Sequence, residues 1–311
     1  MRTPRYPEAE SSAAAACLIR ANESWPETKL HIGISGWTYA GWRRVFYPQD
    51  LAQKHELHFA SRNFNSIEIN GSFYSLQRPS SYEVWHVQTP PGFTFSVKGA
   101  RFITHMKKLR DVQAPLANFF GSGVLALREK LGPILWQFPP NLGWNQQRFR
   151  DFFELLPKDT AEAAELARLH DDRLKFEPWT KTDATRPLRY CVEIRHPTFL
   201  VPEFFALLRE YKIAFVFADT AGKWPYAEEL TAPFVYIRLH GAEQLYVSGY
   251  SDSELTWWAE RIKRWKRGRD IYVYFDNDAK VHAPFDAKKL AQMLQSRRGT
   301  TLDHRDRAGG T

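Results

Sequence analysis

The sequence predicts an α/β protein built as a single (β/α)8 TIM-type barrel with an insertion between its fourth helix and fifth strand. Eight short apolar segments alternate with mostly helical stretches, which implies a parallel sheet. Eight such units in about 250 residues fit a closed barrel. A doubly wound open sheet would carry a Gly-rich phosphate turn after its first strand, and Gly33 and Gly36 do not make that G-x-G-x-x-G pattern.

Taken in order, Leu30–Ser35 reads as strand one and runs into the glycine- and aromatic-rich loop Gly36–Trp42. A helical pattern follows Pro48. Strand two is Ser66–Asn70, with the loop Gly71–Tyr74, and Ser80–Gln88 is a helix. Strand three is Phe93–Lys98, its loop runs from Gly99 to His105, and Ala114–Lys130 is helical. Strand four, Pro133–Phe138, is closed by Pro139 and Pro140, which cannot extend a ladder. The helix Gln146–Leu156 ends at Pro157. Lys158–Pro187 is the insertion, with a short helix suggested by Ala161, Ala164, Leu166 and Leu169. A helix-to-strand connection lies opposite the active face of a barrel, so this segment is expected to serve stability or a partner.

Strand five ends in Glu193-Ile194-Arg195-His196-Pro197. Tyr190, Val192 and Ile194 share one face, and Cys191, Glu193 and Arg195 share the other. The helix Pro202–Tyr211 carries its proline in the first turn, where a missing N–H is harmless. Strands six, seven and eight are Ile213–Asp219, Phe234–His240 and Ile271–Asn277. Helices cover Ser253–Lys266 and the residues after Pro284. Residues 1–29 and 296–311 read as tails around a 30–295 barrel, the second polar, basic and expected to be disordered.

The chain has 311 residues, 43% of them hydrophobic, and a net charge of +8. That is enough for a large core and excludes a disordered protein. The charge permits nucleic acid as a partner without favouring it. The basic run Arg261–Arg269 reads as a solvated helix face. Two distant cysteines, Cys17 and Cys191, make neither a disulfide framework nor a metal spacing, which suits a reducing, cytoplasmic setting. The run Ala13–Ile19 is short and charge-flanked, read as a tail or first helix, and nothing approaches a membrane span.

The functional signal is polar residues phased to the strand ends. Strand two supplies Glu68 and Asn70, strand three Lys98, strand four Gln137 and strand five Glu193 and Arg195. Strand six supplies Asp219, strand seven Arg238 and His240, and strand eight Asn277. Catalytic groups of barrels sit at such ends. The inner ring is expected to hold the acids Glu68, Glu193 and Asp219 with the bases Lys98, Arg195 and Arg238. Trp37, Tyr39, Trp42, Phe73, Tyr74, Trp224, Tyr246 and Tyr250 fall on the loops above, as walls for a ring-shaped ligand or as a packed mini-core. His105, His196 and His282 share those loops.

These motifs together resemble the YecE-like family, a bacterial domain of unknown function with a TIM-barrel fold. The likeness is carried by Gly33-Ile34-Ser35-Gly36-Trp37, Glu68-Ile69-Asn70 with Phe73-Tyr74, Phe95–Lys98, Ile103–His105, Gln137–Pro140, Glu193–Pro197, Ala218-Asp219, Val235–Gly241, Gly249–Ser251 and Tyr274–Asn277. It covers roughly residues 30 to 295. The family often has paired asparagines after its last strand; here the first is Asp276. Alternation is expected to turn Asp276 away and leave Asn277 on the inner face.

The resemblance implies the barrel and supplies no reaction, so function is argued from the ring. The favoured expectation is acid/base chemistry on a small anionic, ring-bearing substrate such as a sugar phosphate or nucleotide. Arg195, Arg238 and Lys98 would hold the anion, Glu193 or Glu68 would act as base, and His240 or Asp219 as partner. Asn70, Tyr74, His105, Gln137, Tyr250, Asn277 and Trp37 would complete the binding wall. The cofactor is left open and no metal ligand is assigned. One alternative resembles endonuclease IV-type barrels: a metal-dependent phosphoesterase using Glu68, Glu193, Asp219 and His240, though no H-E-x-x-H spacing supports it. A non-catalytic binding barrel whose ring is a salt-bridge network is another. A retaining glycosidase is the weakest.

Overall fold

Period-two alternation builds the wall of this molecule, because each strand must satisfy a barrel interior on one side and a helical layer on the other. The computed structural model describes residues 28–295. The expectations for the tails, including the alanine run and Cys17, lie outside the described residues. Strands β1 (Leu30–Ser35), β2 (Ser66–Ile69), β3 (Thr94–Lys98), β4 (Leu131–Gln137), β5 (Tyr190–Glu193), β6 (Ala214–Asp219), β7 (Phe234–Leu239) and β8 (Asp270–Phe275) close in sequence order. All eight pairings are parallel, β1 meeting β8. The predicted barrel is the observed fold.

Around it run α1 (Glu56–Asn63), the short α2 (Gly71–Tyr74), α3 (Pro79–Gln88), α4 (Gln113–Gly121), α5 (Gln146–Glu154), α6 (Thr160–Ala167), α7 (Pro202–Glu210), α8 (Asp252–Trp265) and α9 (His282–Gln295). The helix expected to continue to Lys130 breaks after Gly121. Gly123 adopts φ 111°, and a side chain there would meet Pro79. The chain goes on in 3-10 turns, Val124–Lys130.

Outward strand residues such as Val192, Phe217 and Ile271 join the large core under the helices. Inward ones, among them Leu135, Cys191, Val216, Tyr236, Tyr272 and Tyr274, form a separate interior cluster. That interior is rich in tyrosine, so its hydroxyls must be paired. Tyr274 and Tyr236 meet Ser66 and Ser96 at 2.6 Å each. Gly33 on β1 leaves the room, since a β-carbon there would collide with the Ser66 carbonyl.

The insertion lies along the outer wall. The Asp159 side chain caps α6, and Trp179 N–H donates to the Gly121 carbonyl. Its placement corrects one expectation: Arg173 reaches the Phe102 ring and lines a side cavity with Tyr74 and Arg101 at the strand-end face. The long connection between α6 and β5 lets it climb that far.

Candidate active site at the C-terminal mouth of the barrel

Arg238 is the hub. It points inward from β7, is fully buried, and could not remain charged there without partners. Its Nη2 and Nε donate to Glu68 at 2.8 and 3.1 Å, and Nη1 donates to Glu193 at 2.6 Å. Nη2 also donates to Asp276 at 2.8 Å. Burial opposes the guanidinium charge, but Glu68, Glu193 and Asp276 more than offset it and hold its pKa well above the ordinary value.

Glu68 is saturated: it also accepts from Ser35 and Tyr236, both at 2.6 Å. Glu193 accepts from Gln137 at 2.6 Å and from Arg195 at 3.2 Å. Burial would raise its pKa, yet Arg238 and then Arg195 hold it well below the usual carboxylate range. His240, fully buried, sets Nε2 3.3 Å from Arg238 and Nδ1 3.0 Å from Asp276.

Above this network opens a cavity of about 830 Å³, of a size for a small ligand. Tyr39, Phe73, Tyr74 and Tyr246 wall it. Lys98, Arg101, His105 and Arg195 bring basic groups, and Asn70, Gln137, Asp276 and Asp278 complete the polar lining. Lys98 ends β3, and Gly99 follows because a β-carbon would run into the Trp136 ring. The lysine is 7% exposed. Its Nζ lies 4.3 Å from the Phe73 centroid and makes no hydrogen bond or ion pair among the described residues. Burial, then the charge of Arg238, lowers its pKa to about 8.

Arg195 spans from Glu193 to the Tyr246 hydroxyl and stacks 3.7 Å above Trp224. His105 stands on a π-helical turn, Phe102–Met106; burial and then Arg195 press its pKa down to about 4. Asp276 and Asp278 diverge. Burial works against ionised Asp276, but Arg238 and His240 bring it down to about 2. Burial and then the charge of Asp276 push Asp278 well up. Asp278 Oδ1 and Asn70 Oδ1 are enclosed without a hydrogen-bond partner among the described residues.

Of the residues expected here, Asn70, Tyr74, Lys98, His105, Gln137 and Arg195 line the cavity, while Glu68, Glu193, Arg238 and His240 form its buried floor. Four lie elsewhere. Asp219 shares the outward face of Phe217, while Ala218 points inside, so Asp219 instead accepts from the Tyr250 hydroxyl at 3.1 Å. Tyr250 is thereby turned from the cavity. Trp37 packs edge-on against Trp85.

Asn277 donates to Asp286 and to the Ser248 carbonyl, and the inner position belongs to Asp276. The clue lay in β8: Ile271, Val273 and Phe275 carry no hydroxyl and seek the helical layer, whereas Tyr272 and Tyr274 need partners inside. Asp276 and Asp278 continue the tyrosine parity. Of the other loop histidines, His196 pairs with Thr198 and His282 opens α9. The four groups considered as metal ligands do not converge, because Arg238 lies between the two glutamates and Asp219 is turned away. Among the described residues no group of three or more His, Cys, Asp or Glu is placed to hold a metal.

Residues 31–308 match the family described as "Protein of unknown function DUF72". The chain belongs to the DUF72 family. This DUF72 protein is 21% identical over 295 residues to UPF0759 protein YunF of Bacillus subtilis (strain 168), covering 85% of this chain and 94% of that one. It is 28% identical over 127 residues to UPF0759 protein YecE of Escherichia coli (strain K12), covering 36% and 44%. The YecE-like resemblance read from the motifs is therefore met. Among solved structures it resembles a DUF72 family protein from Thermotoga maritima MSB8, with TM-score 0.69, 24% identity and coverage of 86% and 100%. It also resembles one from Enterococcus faecalis V583, with TM-score 0.65, 14% identity and coverage of 87% and 97%. These likenesses bear on the fold.

Proposed function

We propose that the cavity at the strand ends is a catalytic site for acid/base chemistry on a small anionic, ring-bearing molecule such as a sugar phosphate or nucleotide. One observation carries this reading: Lys98 is a buried residue whose amine faces the cavity and makes no hydrogen bond or ion pair among the described residues. A structural lysine in such a position would be paired, since an unpaired buried charge is costly. Lys98 is poised to gain and lose a proton near neutral pH.

The neighbouring carboxyls support the same reading. Asp276 is held low beside Arg238, while burial and the charge of Asp276 push Asp278 well up, which favours a proton on its carboxyl. Two carboxyls with divergent pKa values are a recurring arrangement for opposite roles. Lys98 then acts as base and Asp278 as acid. Glu68 and Glu193, first considered as bases, serve better as the fixed counter-charges of Arg238. Arg195 and Arg101 favour an anionic arm, and Tyr39, Phe73 and Tyr246 favour a flat or ring-shaped body.

Native mass spectrometry of the intact protein against a panel of sugar phosphates and nucleotides, followed by product analysis, tests the reading. At least one compound is expected to bind and be converted, and Arg195→Met is expected to weaken binding roughly ten- to a hundredfold. Binding without conversion would favour a binding protein, and the absence of any bound compound would overturn the reading.

A further inference from the structure

We propose that Lys98 is a nucleophile that forms an imine with an aldehyde or ketone carrying a carboxylate or phosphate. The proposal rests on the cavity being the reaction centre, and it names both the substrate class and the atom that reacts.

The requirements of such a step are specific. The amine must lose its proton within easy reach of working pH, must not be tied up by a hydrogen bond, and must be shielded from bulk water. Lys98 is 7% exposed and lines the cavity, its Nζ lies against the Phe73 face, and Nζ has no hydrogen-bonding partner among the described residues. Burial and then nearby Arg238 favour the neutral amine and outweigh the opposing charges of Glu68, Asp276 and Glu193, bringing the pKa to about 8. A proton donor must stand at the same cavity, and Asp278 lines it, its pKa pushed well up by burial and then by the charge of Asp276. A cation must hold the anionic arm, and Arg195 and Arg101 line the same wall.

The step balances without an added oxidant or reductant. The lone pair of neutral Nζ forms a C–N bond to the carbonyl carbon, and the C=O π pair moves to oxygen. That oxygen takes the proton of Asp278, and the nitrogen, now cationic, returns a proton to the Asp278 carboxylate. Reprotonation of the carbinolamine hydroxyl by Asp278 breaks the C–O bond, and water departs. The nitrogen lone pair closes the C=N bond. The product is a protonated imine, with Asp278 left as the carboxylate.

The test is reductive trapping on the intact chain. The protein is incubated separately with glyoxylate, pyruvate and glyceraldehyde 3-phosphate in the presence of sodium cyanoborohydride, then digested and mapped by mass spectrometry. Lys98 is expected to take up one adduct per chain, at least about tenfold faster than the exposed lysines, with Asp278→Asn slowing uptake at least about tenfold. Loss of the adduct in Lys98→Met, with its fold verified by circular dichroism, would complete the assignment. Adducts spread over surface lysines with Lys98 unmodified for all three compounds would overturn it. Competitive labelling with acetic anhydride across pH separates the two claims. A Lys98 amine that labels with a midpoint near 8 but never traps a carbonyl sinks the imine and leaves the acid/base reading standing. A Lys98 that does not label sinks both.

Discussion

Lys98 sets function against stability in one side chain. In the unfolded chain a lysine titrates near 10.5, whereas here burial and Arg238 bring it to about 8. Below pH 8 both states hold the proton and the folded state bears the whole penalty; between 8 and 10.5 only the unfolded state keeps it, so stability rises with pH across that window. Lys98→Met should therefore stabilise the fold at pH 7, by up to about 3 kcal/mol for this shift. That gain should fade from pH 8 to 10.5. Urea unfolding of both proteins at pH 7 and 10.5 checks it, and a variant less stable than the parent at pH 7 would contradict the assignment. Arg238 is the opposite case, a charge whose three carboxylates would be stranded by its removal.

Elements place these side chains by ending where they do. β3 stops at Lys98 because Gly99 alone fits under Trp136, and the π-helical turn after it brings His105 and Met106 over the cavity. The outer helices are held by more ordinary means. Ser251 opens α8 in a reciprocal cap, accepting from Glu254 N–H while the Glu254 carboxylate accepts from Ser251 N–H. Ser251→Ala should cost about 1 kcal/mol, read as a lower urea midpoint. Ligand binding at the cavity should be unchanged, since Ser251 does not line it. A shift in affinity would mean that α8 steers the β7 loop more than its position suggests.

At the scale of the whole molecule the barrel separates its polar groups by depth. The strand-end mouth holds the ion network, and the other end is closed by His31 stacked on Tyr272 at 4.5 Å, with Arg189 bridging Tyr272 and Asp270. Burial, opposed by Asp270, presses the His31 pKa down to about 4. The unfolded chain gains that proton at 6.5 and the folded one only near 4, so stability should fall as pH drops through this window, by roughly 3 kcal/mol, and level off below it. His31→Phe, which keeps the stack, should flatten the fall. The difference in urea midpoints between the two proteins at pH 7.5, 5.5 and 4.5 isolates it from other histidines. Among the described residues no helix is long and apolar enough to cross a membrane.

Strand and helix order, the closed barrel and most of the polar ring were legible in the sequence, because apolar periodicity and residue type are local properties. Glu193 and Arg238 could be placed on inner faces for that reason. What alternation could not settle was parity at a strand whose two faces are both buried. In β6 and β8 the helical layer and the interior are equally apolar, so Asp219 and Asn277 looked inward on sequence and Asp276 looked outward. In β8 the tyrosines gave a clue, their hydroxyls fitting where Ser66 and Ser96 wait; in β6 only packing decides, with bulky Phe215 and Phe217 in the helical layer. Which charges pair is likewise a tertiary matter. Arg238, Glu68 and Glu193 come from three strands far apart in the chain, and Asp276 from the turn just after β8. Closing the barrel brought these together and left Lys98, among the described residues, with the Phe73 ring and no ion pair.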